Sequence, residues 1–244
     1  MAEKNRVLHE IEEPKYLRYA AFLSRNKWRV VAGVSLVVGV LLVVALVQSL
    51  RKSKHARAFE AHLKAQTPEQ YERVGRDFPG TFYGSFSLIE AGNLYFEKQR
   101  FAEARRVYQS FLRSYPESRF RASVYNLLGA TFEAEKKYDD AMEYYRRAQA
   151  FPSVELQAKL NRGRCWELKG DEESKRNPQL ALDHYDKAGT FYRQLTEASS
   201  SPPGAQQAAG PWRREAQSRM TFLREKEREA RRATTEKKVD KGNT

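Results

Sequence analysis

One cysteine, Cys165, is all that the 244 residues contain. No intramolecular disulfide can form, so cysteine usage leaves the redox compartment open. Cys165 precedes Trp166 in a helical stretch, and no histidine accompanies it as a base. It reads as a small buried apolar residue rather than a nucleophile. Glycine-rich phosphate loops are missing too, because the glycines sit at repeat positions or in turns. Neither HExxH nor a paired CxxC occurs, and His9, His55, His62 and His184 are scattered over separate elements, so these motifs offer no metal site. No carboxylate lies in an apolar setting that would raise its pKa. An enzyme is therefore not expected, nor a cofactor or a metal. Zinc-knuckle, helix-turn-helix and RNA-binding aromatic signatures are absent as well. The net charge of +13 then points away from nucleic acid and toward a membrane surface or solvated tails.

What is present begins with a long apolar run. Val30 to Leu50 carries no charge and is dominated by valine and leucine. As a helix it would span roughly 31 Å, enough for a hydrocarbon core of about 30 Å. A transmembrane helix is expected there, in contact with lipid. A cleaved signal peptide is disfavoured by the length of the run and of the leader, and by the basic RKSK before Ala56-Arg57-Ala58. Lys15, Arg18, Arg25, Lys27 and Arg29 flank one side, and Arg51, Lys52, Lys54, Arg57 and Lys64 the other, so charge does not set the orientation. Tyr16 to Leu23 fits a short amphipathic helix or a poorly ordered basic leader. Ser35 and Gly39 form a small-xxx-small pair suited to close helix contact. The helix is expected to continue through Arg51 to Gln66, with His55 and His62 interfacial or solvent-facing. Thr67, Pro68 and Gln70 spell the start of the next helix.

Beyond it the chain repeats itself. Gly92, Tyr95, Ala104, Tyr108, Phe111 and Pro116 recur as Gly129, Phe132, Ala141, Tyr145, Ala148 and Pro152, a period of 129 − 92 = 37 residues. A third copy runs through Gly163, Trp166, Ala181, Tyr185 and Ala188, with an insertion, Gly170 to Pro178, expected to be an exposed loop. Tyr71 and Pro79 mark a degenerate copy upstream. Each copy reads as two helices around a short turn, such as Lys98–Arg100, and no copy can bury its apolar stripe alone. These residues resemble the tetratricopeptide repeat. The expected fold is all-α: a single transmembrane helix, then a tetratricopeptide-repeat α-solenoid with a C-terminal capping helix. Its divisions are a basic leader (1–29), the membrane helix (30–50), the repeat domain (51–197), a flexible linker (198–211), and a capping helix with a disordered charged tail (212–244). Trp212, Ala216, Met220 and Leu223 line one side of that last helix.

The resemblance implies a groove lined by the first helix of each pair. Its candidate protein-binding residues are Phe86, Ile89, Asn93 and Glu97, then Asn126, Ala130 and Glu133, then Leu160, Arg164 and Glu167. Asn93 and Asn126 could hydrogen-bond an extended peptide, and Phe86 and Ile89 could hold an apolar side chain. The basic clamp that some such repeats use for a carboxylate is not matched. The order of segments, together with Tyr83-Gly84-Ser85, is similar to the YfgM-like family of ancillary translocon subunits. That resemblance implies a bacterial inner-membrane protein with periplasmic repeats, whose partners are the Sec translocon and periplasmic folding factors. The same groove would also serve a cell-envelope assembly or division adaptor, or an adaptor facing the cytoplasm.

Overall fold

The computed structural model describes residues 24–197 and 203–242, and every regular element among them is a helix. The expectation for Tyr16 to Leu23 lies outside the described residues, as do positions 198–202 of the expected linker. The chain divides after Ala56 into two units.

Helix α1, Lys27–Lys64, contains the whole apolar run and continues past it, as the sequence implies. Its most apolar window has a mean hydropathy of 3.1, and none of that window is buried among the described residues. Leu36 and Leu42 stay 69% and 66% exposed. By length and composition it is able to cross a membrane.

The second unit is a stack of helical hairpins. Its elements are the end of α1, then α2 (Pro68–Asp77), α3 (Phe82–Glu97), α4 (Phe101–Ser114), α5 (Arg121–Ala134), α6 (Tyr138–Gln149), α7 (Glu155–Glu173), α8 (Pro178–Glu197) and α9 (Pro203–Gly242). Local chemistry sets the boundaries. Thr67 accepts from the Gln70 N–H while the Gln70 side chain accepts from the Thr67 N–H, and Pro68 opens α2, where its missing N–H costs nothing. Thr81 caps α3 by accepting from the Gly84 N–H at 2.9 Å. Glutamine and lysine end α3 and α5 in the left-handed region, at Gln99 (φ 58°) and Lys136 (φ 62°). The Arg100 N–H returns to the Tyr95 carbonyl and the Lys137 N–H to that of Phe132, which satisfies the last turn of each helix.

Each of the three hairpins from α3 to α8 closes by laying a tyrosine of its second helix over a glycine of its first. Tyr108 covers Gly92, and Tyr145 covers Gly129. Ala104 and Ala141 are fully buried, and Tyr95, Val107, Phe111 and Leu128 complete the core of the first two pairs. Phe132 stacks on Tyr144 at 5.2 Å between ring centroids, and the Arg105 guanidinium lies over its ring at 4.8 Å. Cys165 is buried against Tyr138, Ala141 and Tyr145. Burial, with Glu133 beside it, pushes its thiol up, so it is inert packing as expected.

The third hairpin corrects the sequence reading. Of the stretch from Gly170 to Pro178 only Ser174 to Asn177 is a turn: α7 runs on to Glu173 and Pro178 already opens α8. Most of the insertion lengthens the helices instead: Asp171, Glu172 and Glu173 lie on α7, while Lys175 and Arg176 stay in the exposed turn. Gly163 consequently faces Tyr192 and Phe191, whereas Tyr185 lies over Gly170. Two glycine–tyrosine contacts, seven residues apart on each helix of the antiparallel pair, replace the single one expected. Ala181 and Ala188 are fully buried, and Trp166 is half-buried between Lys169 and Lys187.

The C-terminal helix also differs from expectation. It starts at Pro203, inside the stretch expected as linker, and reaches Gly242 rather than fraying after Arg224. Ala205, Gln206, Gln207, Ala208 and Ala209 are strong helix formers that outweigh the flanking proline and glycine, and the tail is rich in Glu, Arg, Lys and Ala. Ala216, Leu223 and Ala230, a seven-residue seam, are buried with Tyr192 and Leu195. His62 departs from its expected exposure. It is half-buried among Tyr71, Tyr83 and Phe86, with Nδ1 2.9 Å from the Ser87 hydroxyl.

Candidate protein-binding groove

The first helices of successive hairpins stand side by side, and their side chains form a ladder of polar contacts. Between α5 and α7, Glu133 accepts from Arg164 through both oxygens, at 2.7 and 2.9 Å. Between α7 and α9, Glu167 accepts from Lys226 at 2.7 Å and from Arg219 at 3.2 Å. Helix α9 thus takes the place that a first helix of a further pair would take. The tyrosines that cover the glycines reach the same ladder. Tyr145 donates to Glu133, Tyr192 to Glu167, Tyr185 to Asp171 and Tyr108 to Asn93. Packing tyrosines therefore hold the groove-side residues in place.

This geometry sorts the sequence candidates. Asn93 and Glu97 lie together with Ala130 in one cavity of about 330 Å³ between α3 and α5. Phe86 is half-buried in an aromatic cluster with Phe82, Phe120 and His62. Ile89 is only 8% exposed and belongs to the core, as does Leu160. Asn126 is buried three residues before the repeat glycine, the position that Ile89 and Leu160 hold in the flanking hairpins. Its Nδ2 reaches Gln157 at 3.5 Å, and its Oδ1 has no hydrogen-bond partner. Glu133 and Arg164 pair with each other. Glu167 is enclosed by α9, so the groove at the third hairpin is filled by the chain itself.

Electrostatics follow from that enclosure. Burial alone would raise the Glu167 carboxyl, but hydrogen bonds from Lys226 and Tyr192 and the charges of Lys226 and Arg219 outweigh it and hold it below the ordinary carboxylate range. Burial likewise pushes the Tyr108, Tyr145 and Tyr192 hydroxyls up, so they stay protonated as donors. Sequence reading missed Glu90, Leu94, Phe96 and Leu127 of the cavity. The spacing of Glu90, Asn93 and Glu97 on one helical face is the signal that finds the first of these. Arg219 and Lys226, seven apart on α9, were also missed as partners of Glu167. Among the described residues no group of histidine, cysteine and carboxylates could hold a metal ion.

Residues 89–155 match the tetratricopeptide repeat family. Among solved structures the fold is similar to the MamA protein, at 18% identity over 74% of this chain and 96% of that one, with a TM-score of 0.42. It is similar as well to a Podosopora anserina kinesin light chain with nearly identical TPR-like repeats, at 15% identity over 77% and 96%, with a TM-score of 0.40. A search of curated proteins found no match.

Proposed function

We propose that this protein is a membrane-anchored tetratricopeptide-repeat scaffold, which holds other proteins beside the bilayer without transforming them. One observation carries the reading: α1 joins an apolar segment that no protein covers to a stack of hairpins whose first two pairs keep an open groove. Exposed leucine and valine at this density are unfavourable in water, by about 25 cal/mol for each Å², and lipid removes that penalty. Tethering then raises the local concentration of the groove against other membrane-bound proteins, so weak contacts suffice. The hydroxyls of Tyr108, Tyr145 and Tyr192, the carboxylates of Glu133 and Glu167 and the single thiol are engaged in packing, hydrogen bonds or ion pairs, which supports holding rather than chemistry.

The finer reading is an ancillary factor of protein export. The repeats would stand on the periplasmic side of a bacterial inner membrane, near the Sec translocon and folding helpers. Its support is the segment order and Tyr83-Gly84-Ser85, which resemble the YfgM-like subunits. Photo-crosslinking in intact membranes tests both levels. A photoreactive residue at Asn93 is expected to capture protein partners, translocon components among them, and one at exposed Glu117 is not. Adducts that form equally from both positions would remove the groove from the account. Adducts from Asn93 that contain only other envelope proteins would replace the translocon by an assembly or division complex.

A further inference from the structure

We propose that the cavity between α3 and α5 is a socket for a lysine or arginine side chain presented by a partner protein. The inference rests on the scaffold reading and names the chemistry of what the groove takes. The other two junctions carry it. Four residues after the repeat glycine stands an anion, Glu133 in α5 and Glu167 in α7, and the next first helix supplies its cation. Arg164 does so at α7, one residue after Gly163, and Arg219 and Lys226 do so at α9.

At the α3–α5 junction the same two positions are Phe96, four after Gly92, and Ala130, one after Gly129. Among the described residues no rung crosses here, and a cavity of about 330 Å³ remains. That is the lower end of the range of roughly 300–1,000 Å³ for ligand pockets, and it suits one inserted side chain. Leu94, Phe96, Leu127 and Ala130 give it an apolar wall, which fits the aliphatic stem of lysine or arginine. Glu90 and Glu97 line it as well, about 10 Å apart along α3, with Asn93 between them. Among the described residues neither carboxylate has an ion-pair partner within the groove, although both lie close enough to raise the Tyr108 hydroxyl. An anionic side chain would meet like charge, and a purely apolar one would leave the carboxylates unmatched. A basic side chain satisfies both walls, as Arg164 and Lys226 do at the junctions beside it.

The whole chain carries a net charge of +13, so long-range attraction favours an acidic ligand, and a preference for a basic one reports this local site. The test uses the full chain in uncharged detergent with two fluorescent peptides, alanine–lysine and alanine–glutamate, read by anisotropy. The lysine peptide is expected to bind more tightly. The Glu90→Gln/Glu97→Gln pair should weaken it about tenfold or more, since two partly exposed charge contacts are together worth roughly 1.4 kcal/mol. Ala130→Arg places a cation where α7 has Arg164, and should weaken the lysine peptide similarly while the circular dichroism stays unchanged. Tighter binding of the glutamate peptide, or equal binding of the lysine peptide to all three proteins, would overturn the socket. The scaffold reading is judged separately, by whether partners crosslink from Asn93 in membranes, so the two failures are distinguishable.

Discussion

A methyl group has nowhere to go at Gly129: its Cβ would sit 2.5 Å from the Tyr145 ring. Tyr145 is itself fully buried and tied to Glu133 through its hydroxyl, so the ring cannot swing aside without breaking the ladder. Gly129→Val should therefore cost about 2 kcal/mol, read as a lower denaturant midpoint. Asn126 predicts the opposite sign. It stands where the flanking hairpins have Ile89 and Leu160, and it buries an unpaired oxygen. Asn126→Leu should stabilise the fold by about 1 kcal/mol in the same measurement, and a loss instead would mean that the oxygen finds a partner in solution. The glycine–tyrosine pairs of the first two hairpins are legible in the sequence because both members recur with one period. Ile89 and Asn126 are not legible as buried. Position in a helix names a face, but whether a neighbouring helix covers that face depends on the stack.

At the scale of elements, α9 is the part that sequence describes least well and that the ionic ladder explains best. Small and polar residues from Ala198 to Pro211 read as linker because proline, glycine and serine punctuate them, yet alanine and glutamine between them favour a helix. The third hairpin misleads for a related reason. Charged residues from Asp171 to Arg176 suit a loop and a helix surface alike, and Gly163 and Gly170 both fit the repeat pattern. What docks α9 is Glu167 of α7 facing Arg219 and Lys226, with Tyr192 of α8 and Asp171 of α7 alongside. The Glu167 carboxyl lies below its ordinary value of 4.5 in the folded protein. Its contribution is thus fully present above about pH 4.5 and is lost as pH falls through the lower, folded value. Glu167→Gln should destabilise the fold by about 2 kcal/mol at neutral pH. It should also flatten the acid limb of the stability profile, read by thermal unfolding across pH. An unchanged acid limb would remove Glu167 as the latch.

The whole molecule joins a helix suited to lipid with a stack suited to water. Both halves are legible in outline, because each depends on composition or period alone. Which side of a membrane the stack would occupy is not legible, since basic residues flank the apolar run on both sides. Cys165 makes that question accessible: buried, with its thiol pushed up, it should stay silent to maleimides. A cysteine introduced by Ser153→Cys should then be labelled in intact cells by a membrane-impermeant maleimide, and one introduced by Asn5→Cys only after permeabilisation. The reverse pattern would turn the scaffold toward the cytoplasm. The tether itself is tested most directly by alkaline extraction of membranes, comparing the full chain with one that begins at Ser53. The account predicts that the full chain stays with the lipid pellet, while the shortened chain is released as a folded helical protein. A full chain recovered in the supernatant, monodisperse and folded without detergent, would contradict it.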